Sequence, residues 1–556
     1  MVVEHWGASA WIQLAVVIGV VGALHVPLGD YLARVYTAGT DWRVEKIIYR
    51  VVGVDSSTEQ RWTRYLGSVL AFSAVGILFL YGWLLAQAHL PSPWGHPGMT
   101  PALAFNTAVS FTTNTSWQNY AGEATLGHLG LSTGLGVQAF ASAAVGMCVA
   151  VALVRGIVRR QTDALGNFWV DLVRSCLRIL LPLALLTAVL LAVLGVVQNL
   201  DAAREVTGVA GGPQTLLGGP VASWESIKLL SGDGGGAFNV NSAHPFENPT
   251  PLSNLVEIVA MLLIPVSFIR MFGVMSGDKR QGWTLLGVVA ILFALGAAAI
   301  GLSESFGHGT VAAAVGSATE GTETRFGIPG SALFGQAATA SADGAANSSY
   351  DSYVSLGGAV LMANMMLGEV SPGGAGSGLY GLLIVALLAV FLGGLMIGRT
   401  PEFMTKRLGA REMKLVSLSV LTSPIAVLVG IGMSIALPMG VKSMGNPGPH
   451  GLSELLYAFT SSVAGNGSAF AGFTGNTPWF NVVLALAMIV GRYLPMIFVL
   501  TLAASLAAQR PGVVTAGTLP TRSPVFVCLV VGATLIVVGL EFFPALALGP
   551  LVEGVS

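Results

Sequence analysis

Charged side chains are scarce in this chain. Its 26 basic and 27 acidic residues make up 10% of 556 positions, against roughly 25% in an average soluble domain. So few charges cannot cover the surface of a soluble protein of this size, which excludes a water-soluble enzyme and predicts an integral membrane protein. The net charge of −1 also provides no field that would attract nucleic acid, so nucleic acid is not expected as a partner.

Cysteine is also scarce, and the common metal and nucleotide motifs are missing. The three cysteines, Cys148, Cys176 and Cys528, form no CxxC pair, and the eight histidines show no HxxxH or HExxH spacing. A disulfide or cysteine–zinc framework and a metalloprotease site are therefore not expected. The sequence contains no GxxxxGK[ST] loop, and no segment between its apolar stretches is long enough for a nucleotide-binding domain. The chain itself is expected to have no catalytic site.

Long apolar stretches are abundant, and about 20 residues suffice to cross the hydrocarbon core. The sequence predicts an all-α polytopic membrane protein with ten transmembrane helices. The ten stretches are 8–33, 64–90, 128–153, 172–199, 252–275, 282–302, 353–397, 415–438, 480–508 and 524–548.

The stretch 353–397 is too long for one ordinary helix, and its middle contains Gly, Ser and Pro residues that break helices. It is either two spans or one crossing interrupted inside the membrane. Counting it once, with both termini outside, places 21 of the 26 basic residues on the cytoplasmic side. Because basic residues accumulate on the cytoplasmic side of membrane proteins, we expect one broken crossing and both termini outside.

Four short segments lie between these spans, too short to cross, each followed by a loop rich in small polar residues. They recur every ~110–120 residues, which predicts four repeats of span, short helix, loop and span. Thr100, Ser223, Ser331 and Ser453 are the expected N-caps. Such loops, ending mid-membrane, would form a ring of carbonyl and hydroxyl oxygens suited to a monovalent cation. The alternative is a set of ordinary Gly/Ser-rich connectors.

Several strings resemble one family. They include Asn-Ser-Ala-His-Pro-Phe-Glu-Asn-Pro at 241–249, Gly-Arg-Thr-Pro at 398–401 and Asn-Gly-Ser-Ala-Phe-Ala-Gly at 466–472. The chain is similar, from about residue 25 to 500, to the potassium-binding A subunit of the Kdp potassium-transporting ATPase. The resemblance implies four membrane-pore-membrane repeats around a pseudo-fourfold axis, with one extra helix at each end. It also implies the cytoplasmic (inner) membrane of a bacterium as the location.

The resemblance further implies a role in an ATP-driven, high-affinity K⁺ uptake pump. Extracellular K⁺ would be selected in a four-loop filter and delivered through an intramembrane tunnel to a separate P-type ATPase subunit. Two small single-span subunits and membrane lipid would be the other partners, and K⁺ the bound ion. The expected segments are 1–63 (first helix and cytoplasmic loop), repeats at 64–153, 172–275, 282–397 and 415–508, and 524–556 (last helix and tail).

The same resemblance assigns the filter residues. They are Thr113, Asn114, Gly232, Asp233, Gly234, Asp343, Gly344, Gly465, Asn466 and Gly467. Gln118 is expected to line the entrance. His244 and Glu247 are expected to brace the second loop rather than contact the ion.

Asp233 and Asp343 depart from the family pattern, which has small neutral or amide residues there. Two carboxylates would either strengthen cation attraction at the filter or point away as braces or entrance charges. Glu369, in the break of the third repeat, and Arg492, an isolated charge in a span, are expected to hold the broken segment below the filter as a gate. The alternative for this pair is that both side chains only satisfy local backbone groups.

A stand-alone cation channel or transporter of the Trk/Ktr/HKT type remains the main alternative function, because it would share the fourfold architecture. A secondary transporter would need halves of opposite orientation, whereas the four repeats run the same way. An intramembrane enzyme would need a catalytic constellation that the spans lack.

Overall fold

The computed structural model describes residues 8–90, 96–201, 203–306, 319–368, 370–510, 512 and 518–554. Ten helices in this part of the chain are long and apolar enough to cross a membrane, as the sequence predicts. They are α1 (Ala8–Thr37), α3 (Trp62–His89), α5 (Gly130–Val158), α6 (Phe168–Val193), α8 (Pro251–Met275), α9 (Lys279–Phe306), α12 (Ser377–Met396), α13 (Ala410–Ile435), α15 (Pro478–Ala508) and α16 (Pro524–Leu551).

Six shorter helices complete the set that we number. They are α2 (Arg43–Val52), α4 (Pro101–Thr112), α7 (Val221–Ser231), α10 (Gly327–Ala340), α11 (Ser355–Met366) and α14 (Gly448–Ala464). Gly122–Thr125 and Pro438–Val441 form single helical turns. We call α4, α7, α10 and α14 the re-entrant helices, since each lies between two spans and is shorter than a crossing.

Among the described residues, three small two-stranded antiparallel sheets, which the sequence analysis did not predict, lie between the helices. They are formed by β1 (Gln60–Arg61) with β2 (Ala164–Gly166), β3 (Arg204–Thr207) with β4 (Pro213–Leu216), and β5 (Glu402–Phe403) with β6 (Lys406–Arg407). None has more than four residues in a strand, so the fold remains helical.

The packing of the re-entrant helices follows a cycle. Each contacts the spans of its own repeat and also the second span of the preceding repeat: α7 packs on α5, α10 on α8, and α14 on α11. The cycle closes because α4, in the first repeat, packs on α15, the second span of the fourth. Four repeats of the same hand therefore surround one axis, and α1 and α16 are the extra helices at the two ends.

Three of the four predicted N-caps are wrong. Thr100 does occupy the N-cap position of α4, although its side chain makes no capping hydrogen bond. Ser223, Ser331 and Ser453 lie inside α7, α10 and α14, which begin two to five residues earlier at Val221, Gly327 and Gly448. Ser223 Oγ and Ser453 Oγ instead donate to the carbonyls of Pro220 and Pro449 within the first turns, at 2.8 and 3.1 Å.

The stretch 353–397 is not one continuous helix: α11 and α12 are separated by a break. The chain leaves α11 at Met366 and re-enters a helix at Ser377, and Gly368, Gly373 and Gly376 have φ of 74°, 78° and 88°. Glycine adopts such angles without the strain that other residues incur, so these glycines allow the chain to turn between α11 and α12.

Buried ion pairs lie where α2, the connection after α1 and the first turns of α6 meet. Arg178 pairs with the fully buried Glu45 at 2.5 Å, and Arg174 pairs with Asp41 at 2.8 Å. These contacts tie the loop after α1 to the start of α6, more than 130 residues away in the chain.

Candidate site: four converging loops

All four re-entrant helices end in the same backbone motif. The amide of Thr115, Asp233, Asp343 or Asn466 donates to the carbonyl five residues earlier, at 2.9, 3.1, 2.9 and 2.9 Å respectively. The residue just before each of these has a left-handed conformation, with φ of 61° at Asn114, 66° at Gly232, 56° at Ala342 and 79° at Gly465. This is the Schellman type of helix end, and it sets the four loops in one register.

Three hydrogen bonds connect loops one to four in succession. Asn114 Nδ2 donates to the Gly232 carbonyl at 2.7 Å, joining loops one and two. The Gly344 amide donates to the Asp233 carbonyl at 3.2 Å, joining loops two and three. Asn466 Nδ2 donates to the Asp343 carbonyl at 3.2 Å, joining loops three and four.

The glycines after these bonds allow the loop backbones to meet. A Cβ on Gly234 would lie 2.9 Å from the Asn466 carbonyl oxygen, 3.0 Å from Gly344 Cα and 3.1 Å from Gly467 Cα. A Cβ on Gly467 would collide with the Thr115 carbonyl oxygen, which closes the ring between loops four and one. Alanine would therefore not fit at Gly234 or Gly467 unless neighbouring loops moved.

The carboxylate of Asp233 is fully buried and bonded to hydroxyl groups. Ser116 Oγ donates to Oδ1 at 2.6 Å, and Ser231 Oγ donates to Oδ2 at 3.1 Å. Both oxygens are thus occupied by neighbours within the loops, an arrangement that favours the interpretation of Asp233 as a brace between loops one and two.

Asp343 is also fully buried but less completely bonded. Its Oδ1 accepts the amide of Ala345 at 3.0 Å, a local turn. Its Oδ2 has no hydrogen-bond partner among the described residues. An unsatisfied buried carboxylate oxygen is costly, so this atom is available to a cation or a water molecule.

Gln118, the predicted entrance residue, lies against the second loop. Its Oε1 accepts the amide of Gly236 at 2.8 Å, and its Nε2 donates to Tyr120 Oη at 3.2 Å. The ring of His244 stacks on that of Phe238, with the ring centroids 3.9 Å apart. Glu247 Oε1 accepts a hydrogen bond from the Phe238 amide at 2.9 Å. These contacts brace the segment that follows the second loop.

The broken segment of repeat three lies directly beside the loop ends. The Gly373 amide donates to the Ala340 carbonyl, at the end of α10, at 2.8 Å. A Cβ on Gly232 would lie 3.4 Å from Gly374 Cα. The break therefore packs against the end of α10 and against loop two.

Arg492, the isolated charge in α15, reaches this break. Its Nη2 donates to the Ser142 carbonyl in α5 at 3.3 Å. A Cβ on Gly146 would lie 3.0 Å from both Arg492 Nη2 and the Ala375 carbonyl oxygen. Glu369, the expected partner of Arg492 in a gate, lies outside the described residues.

A family model described as potassium-transporting ATPase A subunit matches residues 15–555 of this sequence. The chain belongs to that family. A relative from Clavibacter michiganensis subsp. michiganensis, named potassium-transporting ATPase potassium-binding subunit, is 54% identical and covers 98% of this chain and 99% of its own. A relative of the same name from Mycolicibacterium smegmatis is 55% identical, with 98% of both chains covered.

The potassium transporter TrkH from Vibrio parahaemolyticus is a structural neighbour of this A-subunit family member. The TM-score is 0.50 and the sequence identity 14%, with 77% of this chain and 84% of the neighbour covered. This likeness concerns the fold alone, and it agrees with the cyclic packing of four repeats.

A cavity of about 120 Å³ lies beneath loops one and four of this A-subunit chain. Its lining includes Thr115 and Gly465 together with Gly368, Arg492 and Glu541. The cavity thus joins the ring, the broken segment and the last helix, and it has room for several water molecules.

Thr115 and Ser116 were not singled out from the sequence. The sequence analysis assigned Thr113 and Asn114 to the filter instead, but Thr113 precedes the left-handed position and Asn114 occupies it. The residue in register with Asp233, Asp343 and Asn466 is Thr115. Loop one has no glycine at this turn, so the usual sequence signal for a left-handed residue is missing there.

Proposed function

We propose that this chain is the potassium-binding, channel-like subunit of an ATP-driven K⁺ uptake pump. The four converging loops are its selectivity filter, which binds K⁺ from outside the cell. The observation that supports this most directly is the ring of hydrogen bonds and glycine contacts joining all four loops in one register. The names of its relatives, which specify potassium binding, supply the identity of the ion.

The physical chemistry of the ring suits a monovalent cation. Each re-entrant helix directs its C-terminal end, the negative end of its dipole, toward the loops. Backbone carbonyl and hydroxyl oxygens can replace the hydration shell of K⁺. Non-helical backbone at membrane depth is tolerated where it lines a wet cavity or is buried in protein, and both conditions apply beside the cavity below loops one and four.

In this proposal K⁺ leaves the filter sideways, through an intramembrane tunnel, to a separate P-type ATPase subunit that hydrolyses ATP. The broken segment, held by Arg492 and Glu369, is a gate that blocks the straight path to the cytoplasm. The position of Gly373 and Gly374 under the loop ends supports this arrangement. The cavity lined by Arg492 and Glu541 is the first compartment of the sideways route.

The complex would also contain two small single-span subunits and lie in the bacterial cytoplasmic membrane, with both termini of this chain outside. The proposed units are 1–63, the repeats 64–153, 172–275, 282–397 and 415–508, and the terminal segment 524–556. The positive-inside distribution of the 26 basic residues supports the orientation.

Affinity purification of the tagged chain from its native host tests the proposal against a stand-alone Trk/Ktr/HKT-type channel. The pump proposal expects a P-type ATPase to co-purify in fixed ratio, with ATP hydrolysis stimulated by K⁺. A chain that purifies alone and conducts K⁺ in vesicles without ATP would be a channel instead.

Ion competition then addresses the two aspartates. If Asp233 braces loops and Asp343 contributes its unbonded oxygen to the ion site, Asp343→Asn changes the ratio of K⁺ to Rb⁺ and NH₄⁺ affinities. Asp233→Asn, at the equivalent position of the neighbouring loop, is the matched comparison and changes stability more than selectivity.

A further inference from the structure

A second group of polar side chains lies far from the ring, near the start of α14. His450 and Glu454 lie one turn apart on α14, so they share a face of that helix. Asp351 belongs to the single turn Tyr350–Ser352 before α11, and Glu553 follows α16 near the end of the chain. Three distant segments therefore place one imidazole and three carboxylates together.

The ligand atoms are close enough for one ion. His450 Nε2 lies 3.2 Å from Asp351 Oδ1. One ligand atom from each of Asp351, His450 and Glu454 lies within 4.8 Å of the other two. Ligand atoms of a tetrahedral zinc site lie about 3.3 Å apart, given bond lengths near 2.0–2.2 Å. The histidine and aspartate thus already have this spacing, and Glu454 needs only a small movement.

The carboxylates of Asp351 and Glu454 face a common space beside Gly472, which has no side chain. A Cβ on Gly472 would lie 3.0 Å from Asp351 Oδ2 and would collide with Glu454 Oε1. Glu454 is fully buried, and its oxygens are oriented by the Gly445 amide and by Asn446 Nδ2, both at 2.7 Å. These two hydrogen bonds hold the carboxylate of Glu454 close to the position from which it would bind an ion.

The fourth group orients the imidazole. Glu553 Oε1 lies 2.9 Å from His450 Nδ1 and Asp351 Oδ1 lies 3.2 Å from Nε2, so each ring nitrogen donates to a carboxylate. A metal ion bound at Nε2 would displace the proton there, while Glu553 keeps the proton on Nδ1. A carboxylate on the distal ring nitrogen is the usual outer support of a metal-bound histidine.

The charge of the group calls for a cation. Three carboxylates face one imidazole, and among the described residues no lysine or arginine forms an ion pair with Asp351 or Glu454. An imidazole ligand favours ions such as Zn²⁺ or Co²⁺ over Ca²⁺ and Mg²⁺, which take oxygen ligands.

We propose that Asp351, His450 and Glu454 form a binding site for a divalent transition metal of the zinc class, with Glu553 orienting His450. The bound ion links the turn before α11, the start of α14 and the end of the chain. Because the other end of α14 forms the fourth loop, the ion stabilises that helix from the side opposite the filter.

The test uses the full chain in its purified complex, stripped with a chelator and titrated with Co²⁺ and Zn²⁺ at pH 7.5. We expect one equivalent of Co²⁺ to give the visible absorption of a histidine–carboxylate site, and Zn²⁺ to displace it. His450→Gln should weaken binding at least a hundredfold, whereas Glu553→Gln should weaken it ten- to a hundredfold. His128→Gln, which changes a histidine far from the group, is the matched control and should bind as the parent does.

Gly472→Ala provides a variant that keeps every ligand. Its methyl group would lie between Asp351 and Glu454, so we expect binding to be lost as in His450→Gln. Elemental analysis and the Co²⁺ spectrum report binding independently of transport. The proposal is overturned if the parent complex binds no stoichiometric metal, or if His450→Gln or Gly472→Ala binds as tightly as His128→Gln. Either result would mean that the group is an ion-paired brace only.

Discussion

Two glycines of the second loop, only two residues apart, should respond differently to alanine. Gly232 has φ 66° and ψ 47°, a conformation that costs an L-residue roughly 1–2 kcal/mol. Among the described residues, a Cβ there meets no atom closer than 3.4 Å, so the change strains the backbone without displacing a described neighbour. Gly232→Ala should therefore lower the stability of the complex by that amount while K⁺ affinity stays within a few-fold.

Gly234 presents the opposite case. Its φ is not in the left-handed range, but a Cβ would lie 2.9–3.1 Å from the backbone of loops three and four. Inserting a methyl group into a packed site costs roughly 1–3 kcal/mol. If this cost reduces the free energy of K⁺ binding, the apparent K⁺ affinity falls about 5- to 150-fold.

The assay is the K⁺ concentration for half-maximal ATP hydrolysis by the purified complex, measured together with its thermal unfolding. Gly432→Ala, in α13 with no described atom within 4 Å of its Cβ position, is the matched control. It should leave K⁺ affinity unchanged, and it should not lower the unfolding temperature because alanine is the better helix former. Equal K⁺ affinity for Gly234→Ala and Gly432→Ala would refute the argument that these loop contacts form the filter. So would a larger loss of affinity in Gly232→Ala than in Gly234→Ala.

Three further predictions concern the same region. Ala342→Gly should stabilise the complex by about 1 kcal/mol, because glycine relieves the left-handed conformation at φ 56°, whereas Ala345→Gly should not; differential scanning fluorimetry distinguishes them. Ser116→Ala removes the 2.6 Å hydrogen bond to buried Asp233 and should lower the free energy of unfolding by about 1.5–3 kcal/mol. The control Ser68→Ala loses only a hydrogen bond within α3 and should lower it less. Equal unfolding midpoints for the two variants would contradict this prediction. Burial and nearby Arg325 lower the pKa of His244 from 6.5 to about 4, so the folded state keeps it neutral while the unfolded chain binds a proton below pH 6.5. Stability should then fall as pH drops from 6.5 toward 4, and His244→Gln should reduce that slope in unfolding scans at several pH values.

The spans and the broken crossing could be predicted because each depends on local composition. Long apolar stretches need only their own length to be recognised, and the glycines and proline at 368–376 interrupt a helix wherever they occur. The helix starts were harder to predict, because Ser223 and Ser453 donate to carbonyls of their own helices rather than capping them. Ser331 Oγ has no hydrogen-bond partner among the described residues.

The filter loops were predictable where glycine marks the turn, as at Gly232 and Gly465. In loop one the left-handed residue is Asn114, and in loop three it is Ala342, so composition alone did not align the four loops. The environment of Asp233 depends on Ser116, 117 residues away, and no local pattern encodes such a contact. The hydrogen bonds to the carbonyl five residues earlier reveal the common register.

The most direct test of the central claim is the anomalous scattering of Rb⁺ or Tl⁺ bound to crystals of the complex. The account predicts a peak on the axis, within coordination distance of oxygens from all four loops: the segments 113–116, 232–234, 343–344 and 465–467. A peak absent from this ring and present elsewhere in the chain would contradict the claim that these loops bind the ion.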